Sequence, residues 1–454
     1  MPNAELSFGL FTDLYELTMA QAYWRDGRNG PATFSLFIRK YPPDRSYFVF
    51  AGLADVLDYL ERLRFSNDGL DSLRSFQRFD DGFLKFLKNL RFTGSVRAMR
   101  EGSIFFINEP VIEVTAPLIE AQIIETMLVN QVNLQIILAT KASRVVQSAR
   151  GRQIIDFAAR RTHGIDAANK LARASYLAGF DGTSNVLAGA FYGIPVSGTM
   201  AHSFIESHES EIEAFRSYAK SFPDASTFLV DTYDTLEGTR KAAIVGREMK
   251  KARHHLQAIR LDSGDLLDLS RKARTILDEA GLKETQIFAS GGLDEFEIDE
   301  LVRAGAPIDG FGVGTKIGVS ADAPWTDCVY KLVEYAGRPV LKLSSGKETL
   351  PGAKQVYRAR NGDGTYAFDT IARADERVQN AESLLQEVMA NGKRLEAEEP
   401  LTTLREQFAQ EFACLQASCK SLHSPTMYEV RTSAALERLQ VQVVRETQER
   451  EIPK

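Results

Sequence analysis

Short apolar runs alternate with longer amphipathic segments through the middle of the chain. The amphipathic segments, SHESEIEAFRSYAKSF and DLLDLSRKARTILDEAG among them, repeat apolar residues with the period of a helix. Such strand–helix units predict parallel strands with right-handed crossovers. Seven strand-like runs favour an α/β fold with an irregular, TIM-like barrel over a doubly wound sheet: QIIDFAAR, YLAGFDG, GIPVSG, STFLVD, LQAIRLD, QIFASG and IDGFGVG.

The segments on either side of this barrel have a different pattern. Residues 1–120 mix helical segments such as FTDLYELTMAQAYW with strand-like runs such as ATFSLFIRKYP, which indicates an α+β domain. Residues 121–315 are predicted to form a helical lead-in and the barrel, where we expect the active site. Residues 316–454 begin with a strand-like segment and continue into charged helices. We expect this last part to pack on the N-terminal domain, so that the two ends of the chain form one discontinuous α+β domain.

Composition and charge narrow the class of protein. The chain has 454 residues, of which 44% are hydrophobic and 26% charged, as in an ordinary globular protein with several domains. A net charge of −6 argues against a general nucleic-acid or membrane-surface binder. Three cysteines in a chain of this size fit a reducing compartment. With no secretion signal and no long apolar run, we expect a cytoplasmic protein without nucleic-acid or membrane partners.

Glycine, hydroxyl, arginine and aspartate residues follow the predicted barrel strands. Any one of these residues is most simply explained as a helix cap or a turn. Barrel enzymes, however, place their active sites at the carboxyl ends of the strands, where all of these residues should meet. The residues are Arg160, Arg161, Ser184, Thr199, His202, Asp231, Arg260, Asp262, Asp265, Gly291, Gly292, Gly312, Gly314 and Thr315.

The residue types on this edge point to a phosphorylated substrate. Glycine loops at late strands expose backbone N–H groups that bind phosphate, and arginine adds fixed positive charge. Asp231, Asp262 and Asp265 offer the oxygen ligands that Mg²⁺ uses together with substrate phosphates, directly or through water. The chain contains no P-loop motif and no N-terminal dinucleotide-binding fingerprint. We therefore expect an anionic, Mg²⁺-linked substrate.

Several motifs resemble those of the nicotinate phosphoribosyltransferase family. The matching segments occur in order between residues 12 and 358: TDLYELTMAQAY, DFAARR, GFDGTSNVLAG, GTMAHSF, LVDTYDTLEG, IRLDSGDL, FASGGLDE, FGVGT, VYKLVEY and GKETLPGAKQVYR. The resemblance implies a homodimer that transfers phosphoribose from phosphoribosyl pyrophosphate (PRPP) to nicotinate in NAD biosynthesis. It also implies Mg²⁺ bound with PRPP or pyrophosphate, and ATP as a co-substrate hydrolysed through a phosphohistidine.

The same resemblance implies roles for individual residues. His202 would be the phosphohistidine, and Asp262 and Arg260 would take part in catalysis. Tyr15, reaching from the partner subunit, and Phe157 would sandwich the pyridine ring, with Ser184, Thr199 and Arg260 lining the nicotinate pocket. The residues implied for PRPP binding are Arg160, Gly291, Gly292, Gly312, Gly314 and Thr315.

Three other interpretations remain open at this stage. A sister enzyme could use nicotinamide, although Ser184 stands where the nicotinamide-using relatives carry Asp, and a hydroxyl can donate to a carboxylate. A quinolinate-using enzyme would need further arginines in the pocket. A barrel that has lost its activity could serve as a metabolite-binding or scaffold protein. The partner that orients His202 is also open, with Asp231 as a candidate at the end of the next strand.

Overall fold

A computed structural model describes residues 8–344 and 349–452. The MPNAELS segment and residues 346–348 of the GKETLPGAKQVYR motif lie outside the described residues. The helices are α1 (Leu14–Arg25), α2 (Leu53–Arg62), α3 (Asn67–Ser75), α4 (Asp81–Asn89), α5 (Leu118–Ile123), α6 (Glu125–Ala149), α7 (Ile165–Leu177), α8 (Val186–Tyr192), α9 (His202–Glu206), α10 (Glu211–Ser221), α11 (Thr235–Lys251), α12 (Leu266–Glu279), α13 (Glu295–Arg303), α14 (Thr315–Gly318), α15 (Leu401–Cys414) and α16 (Ala434–Glu451). No helix in the described parts of the chain has the length and apolar content that a membrane span requires.

The strands are grouped into two compact units of the chain. Unit 1 comprises the residues up to Ile137 together with those from Trp325 onward, and unit 2 is Leu138–Pro324. The strands are β1 (Pro31–Ile38), β2 (Phe48–Val49), β3 (Ser95–Ala98), β4 (Ile104–Phe105), β5 (Ile112–Pro117), β6 (Gln153–Asp156), β7 (Gly182–Thr183), β8 (Thr227–Leu229), β9 (Ala258–Leu261), β10 (Gln286–Ala289), β11 (Gly310–Val313), β12 (Cys328–Tyr335), β13 (Arg338–Pro339), β14 (Lys354–Arg360), β15 (Tyr366–Arg373), β16 (Ala381–Ser383), β17 (Gln386–Ala390), β18 (Lys393–Arg394) and β19 (Val430–Thr432).

The larger sheet of unit 1 is built from both ends of the chain. Its strand order is β13-β12-β1-β5-β3-β17-β18. β1 lies between β12 and β5, pairs antiparallel with both, and is buried along its whole length after Pro31. A strand from the N-terminal segment thus hydrogen-bonds to one from the C-terminal segment, which confirms the predicted discontinuous α+β domain.

A second sheet in unit 1, β16-β14-β15-β19, corrects one sequence-based expectation. Charged helices were expected after the first strand-like segment of residues 316–454, but β14 to β18 come first and α15 begins only at Leu401. The charges misled the prediction because some of them are buried and paired within the sheet. Arg358 on β14 lies opposite Asp369 on β15, and their fully buried side chains pair at 2.6 Å.

Unit 2, all of whose residues are described, contains the predicted irregular barrel. Its parallel strands have the order β7-β6-β11-β10-β9-β8, so the first strand β6 pairs with the last strand β11, as barrel closure requires. An isolated bridge at Val196 extends the wall beyond β7, and no ladder joins that segment to β8. The YLAGFDG run was only partly correct as a strand, because Tyr176 and Leu177 end α7.

A buried carboxyl joins the beginning of α1 to the beginning of α6 within unit 1. Glu16 is fully buried and accepts hydrogen bonds from the Thr126 backbone N–H at 3.1 Å and hydroxyl at 2.6 Å. The Thr12 hydroxyl donates to its other oxygen. Burial raises the pKa of Glu16 to about 7, although the hydrogen bonds from Thr12 and Thr126 oppose that shift.

This raised pKa predicts a pH dependence of stability. Between the ordinary carboxyl value of 4.5 and about 7, the folded chain binds more protons at Glu16 than the unfolded chain does. The contribution of Glu16 to the free energy of unfolding is therefore fully present below that window. As the pH rises through the window, the free energy of unfolding falls by on the order of 2 kcal/mol. We expect Glu16→Gln to remove this loss, so that the variant gains stability relative to wild type between pH 5.5 and pH 8. Urea denaturation midpoints at both pH values measure this change in stability, and Glu406→Gln at an exposed position of α15 is the control. Equal pH slopes in wild type and Glu16→Gln would contradict the prediction.

Candidate active site

The carboxyl ends of the unit 2 strands carry most of the residues that the sequence singles out. The ends of parallel strands meet at one edge of a barrel, so side chains far apart in sequence come together there. In chain order these residues are Phe157 after β6, Ser184 after β7, Thr199 beyond the bridge at Val196, Asp231 beyond β8, Asp262 after β9, Gly291 beyond β10 and Gly314 after β11.

Asp262 contacts the segments that follow three other strands or bridges. Its backbone N–H donates to Asp231 Oδ2 at 3.1 Å, and its Oδ1 accepts a hydrogen bond from the Ser290 hydroxyl. Its Oδ2 lies 4.0 Å from His202 Nε2. Its carbonyl oxygen lies against Gly291, where a Cβ atom would come within 1.9 Å. Asp262 is therefore held on both its backbone and its side chain, with one carboxylate oxygen turned towards the histidine.

His202 is the first residue of α9 and is partly exposed. Its Nδ1 is 3.1 Å from the Thr232 hydroxyl, so the two ring nitrogens face a hydroxyl and a carboxylate respectively. Asp231, the candidate from sequence, is instead bound to Asp262 and to the Ser263 hydroxyl at 2.5 Å. Thr232 is thus a direct hydrogen-bond partner of His202, and a fixed partner at Nδ1 orients the ring.

Arg260 lies beside Thr199 and Phe157 at the barrel rim. Arg260 Nη1 donates to the Thr199 hydroxyl at 2.6 Å, and its guanidinium carbon lies 5.9 Å from the centre of the Phe157 ring. Its Nε is buried and has no hydrogen-bond partner among the described residues. Burial lowers the pKa of Arg260, an effect that Asp262 opposes and Arg160 reinforces. A guanidinium beside an aromatic ring can pair with a carboxylate while the ring stacks on an aromatic ligand.

Asp156 joins the ends of β6 and β7. Its fully buried carboxylate accepts from the Thr183 hydroxyl at 2.7 Å and from the Ala158 N–H at 2.8 Å. Burial raises the pKa of Asp156, and both hydrogen bonds oppose that shift. The Ser184 N–H donates to the Asp156 carbonyl at 2.8 Å, which fixes the backbone of Ser184 at the end of β6.

The glycines that the sequence groups together differ in their surroundings. Gly291 and Gly292 both have positive φ, 94° and 69°, which favours glycine. Gly292 has open space where a side chain would point, whereas Gly291 is in close contact with Asp262. Gly314 precedes α14 and Thr315 begins it, with Thr315 exposed. Gly312 is buried within β11, where the Phe157 ring covers it, so its surroundings differ from those of an open phosphate loop.

The three aspartates proposed as metal ligands do not form a ready-made cage. Within the described ranges, no three His, Cys, Asp or Glu side chains are grouped closely enough to hold a metal ion. Asp265 caps α12 by accepting from the Leu267 and Asp268 N–H groups, both at 3.1 Å. Asp231 Oδ1 is buried and has no hydrogen-bond partner in the described part of the chain. Asp231 and Asp262 thus stay adjacent, and Asp265 has a structural task of its own.

Tyr15 lies in unit 1, near the beginning of α1. It is 46% exposed, and Phe11 and Leu14 beside it are exposed to a similar extent. Burial of its hydroxyl and the nearby Glu125 raise the pKa of Tyr15. An exposed cluster of large apolar side chains at a helix start is typical of a contact surface.

The comparisons with known proteins give one consistent result. Three family models match in order: the nicotinate phosphoribosyltransferase (NAPRTase) N-terminal domain at residues 10–133, the NAPRTase family at 152–366 and the nicotinate phosphoribosyltransferase C-terminal domain at 377–440. The chain belongs to the nicotinate phosphoribosyltransferase family. The family models include the last part of the chain, beyond the segments whose motifs are apparent from the sequence.

Named members of the nicotinate phosphoribosyltransferase family align over most of the chain. Nicotinate phosphoribosyltransferase pncB2 of Mycobacterium tuberculosis is 50% identical over 414 residues, 91% of this chain and 89% of that protein. Nicotinate phosphoribosyltransferase of Bacillus subtilis is 43% identical over 387 residues, 83% of this chain and 79% of that protein. The crystal structure of human nicotinic acid phosphoribosyltransferase superimposes with a TM-score of 0.86 at 29% identity, covering 95% and 99% of the two chains.

Some contact residues in this member of the nicotinate phosphoribosyltransferase family were not assigned a role from sequence. They are Thr232, Ser290, Asp156 and Thr183. The sequence could have indicated two of them, because Thr232 and Ser290 directly adjoin residues beyond β8 and β10 that were predicted to belong to the site. What pattern alone does not show is which hydroxyl faces which neighbour across the barrel rim.

The contact between Gly291 and Asp262 generates a prediction about stability. We expect Gly291→Ala to lower the free energy of unfolding by about 3 kcal/mol, because the positive φ and the clash with the Asp262 carbonyl both oppose it. Gly292→Ala, with a similar φ and open space, should cost about 1 kcal/mol. Urea denaturation of both variants measures the difference. Equal losses in the two variants would show that the close packing on Asp262 is unimportant.

Proposed function

We propose that the chain transfers the phosphoribosyl group of PRPP to the ring nitrogen of nicotinate, giving nicotinate mononucleotide and pyrophosphate. ATP hydrolysis is coupled to this transfer through phosphorylation of His202, which places the enzyme among ATP-coupled ligases of NAD salvage. The observation that carries the proposal is the contact of His202 with both Thr232 and Asp262 at the barrel rim of a member of this family.

The coupling step needs a histidine nitrogen with a free lone pair. A neutral imidazole attacks the γ-phosphorus of ATP, the P–N bond forms, and the bond to ADP breaks with its electron pair leaving on ADP. The Thr232 hydroxyl on Nδ1 supports this role, because a fixed hydrogen bond at one nitrogen selects a tautomer. In this proposal Asp262 faces both the histidine and the ribose, and stabilises positive charge as the bond to pyrophosphate breaks.

Nicotinate would bind on the Phe157 ring, beside the Arg260–Thr199 pair. Its carboxylate pairs with the guanidinium, whose buried Nε lacks a partner among the described residues. The pyridine ring stacks on Phe157, and the Ser184 hydroxyl donates to the carboxylate. Because the ring nitrogen of deprotonated nicotinate carries a free lone pair, positioning and charge stabilisation account for most of the catalysis.

PRPP would bind along the neighbouring loops. Gly291, Gly292, Gly314 and Thr315 present backbone N–H groups to its phosphates, and the exposed Arg160 adds positive charge. The adjacent Asp231 and Asp262 fit Mg²⁺, because this ion is often bound by one or two carboxylates together with substrate phosphates. The buried, unpartnered Oδ1 of Asp231 adds to that fit. When bound, Mg²⁺ would neutralise charge on the pyrophosphate.

A homodimer would complete the site. In this proposal Tyr15 of the partner subunit closes the pyridine pocket opposite Phe157. The exposure of Tyr15, Phe11 and Leu14 supports a contact surface at the beginning of α1. ATP, PRPP and nicotinate are the small-molecule partners.

The His202 proposal predicts a separation of two activities. We expect His202→Ala to abolish ATP hydrolysis and acid-labile phosphate incorporation from γ-labelled ATP, while some ATP-independent formation of nicotinate mononucleotide from PRPP remains. Product analysis with and without ATP measures both. His254→Ala is the matched control, because His254 also pairs with an aspartate, Asp224, but precedes β9 at the opposite end of the strand. Phosphate incorporation that survives in His202→Ala would refute the phosphohistidine.

Ser184 predicts the choice between nicotinate and nicotinamide. We expect Ser184→Asp to lower kcat/KM for nicotinate by about 100-fold, because a carboxylate there repels the carboxylate of the substrate. Relative activity with nicotinamide should rise, since aspartate accepts from the amide NH₂. Ser184→Ala removes the hydroxyl without adding charge, so it separates the loss of the hydroxyl from the repulsion by an added carboxylate. If the ratio of kcat/KM for nicotinate to kcat/KM for nicotinamide is the same in Ser184→Asp as in wild type, Ser184 does not determine specificity. A wild-type preference for nicotinamide or quinolinate would favour a sister activity.

A further inference from the structure

Strand β11 has glycine at two alternate positions, and an aromatic ring covers each. Alternate residues of a strand point to the same side of the sheet, so Gly310 and Gly312 open onto one face. A Cβ atom at Gly310 would lie 2.3 Å from the Phe288 ring, and one at Gly312 would lie 2.4 Å from the Phe157 ring. The two rings are neighbours, with centres 6.5 Å apart. The missing side chains of β11 thus provide the space that both rings occupy.

We propose that Gly312 is a positioning residue for nicotinate, acting through the plane of the Phe157 ring. The inference rests on the proposed function, in which Phe157 stacks on the pyridine ring. It assigns Gly312 to the acceptor side of the site and leaves PRPP binding to Gly291, Gly292, Gly314 and Thr315. Gly312 has no side chain of its own to offer, so its effect on the substrate passes entirely through Phe157.

Hydrogen bonds hold the backbone around Phe157, so we expect the ring to respond to a larger residue at position 312. The Phe157 N–H donates to the Val313 carbonyl at 2.8 Å, and the preceding Asp156 carboxylate accepts from the Ala158 N–H at 2.8 Å. Three ring atoms, Cδ2, Cε2 and Cζ, lie between 2.4 and 3.3 Å from the position of an added Cβ. Ordinary contact would require the ring to move by about 1 Å.

Movement of the Phe157 ring changes its distance and angle to the Arg260 guanidinium, which would bind the substrate carboxylate. The Arg260 guanidinium lies 5.9 Å from the ring centre and is itself held by Thr199. A ring that tilts away from Gly312 no longer presents the same face at the same distance from Arg260. Stacking and carboxylate pairing then cannot both be satisfied by one rigid, planar ligand. A Cβ atom at Gly314 would lie 3.5 Å from the Phe157 carbonyl oxygen, so this loop faces the backbone of Phe157. We therefore expect a tilt of the ring to leave the phosphate loop in place.

Steady-state kinetics of Gly312→Ala test the proposal. We expect KM for nicotinate to rise by at least about tenfold, while KM for PRPP and ATP hydrolysis stay within about twofold of wild type. Gly310→Ala is the matched control, because it strains the same strand on the same face against a different ring, Phe288. A purely structural role predicts the same kinetic change in both variants. That result, or a rise in KM for PRPP that equals the rise for nicotinate, would overturn the proposal.

A double-mutant comparison shows whether the effect passes through Phe157. The shorter side chain of Phe157→Leu leaves room for a Cβ at position 312, so Gly312→Ala/Phe157→Leu can be used even if the single alanine variant does not fold. In that background the alanine should change KM for nicotinate by less than about twofold. A tenfold change there would refute the proposal. Failure of the proposed function would be recognised separately, as wild-type enzyme that forms no nicotinate mononucleotide from nicotinate and PRPP.

Discussion

The site depends on how Asp262 is held at the end of β9. Its N–H binds Asp231, one carboxylate oxygen binds Ser290, and the other faces His202. Each of these neighbours comes from a different strand or bridge of the barrel. Asp262 thus contacts both the histidine and the glycine loop beyond β10. The loop can come this close because Gly291 has no side chain to clash with the Asp262 carbonyl.

Glycine serves two physical purposes in this barrel. At Gly291 and Gly292, positive φ turns the chain after β10, and both residues are exposed. At Gly310 and Gly312, the backbone is ordinary strand, and the absence of a side chain makes room for aromatic rings in the barrel. The second use is a packing constraint. It explains why a motif with several glycines need not be a phosphate loop along its whole length.

The barrel pattern was predictable because its signals are local. Most of the apolar runs became parallel strands, and the pairing of β6 with β11 follows from closing such a series. Two errors have clear physical reasons. YLAGFDG continues the apolar side of α7 before β7 begins, so its apolar residues belong to a helix end. The charged segment before α15 forms strands, because pairs such as Arg358 and Asp369 neutralise each other inside the sheet.

By itself, the sequence determined the strand–helix order of the barrel and the residue types at the strand ends, since periodicity and chemical type are properties of neighbouring residues. The tertiary structure decided the pairing of β1 with β12, which joins the two ends of the chain in one domain. Only the tertiary structure decided which of the strand-end residues touch. It placed Thr232 rather than Asp231 against His202, gave Asp265 to a helix cap and put Gly312 under Phe157. These outcomes depend on distances of a few ångströms between chain segments that are remote in sequence, and no local pattern encodes such distances.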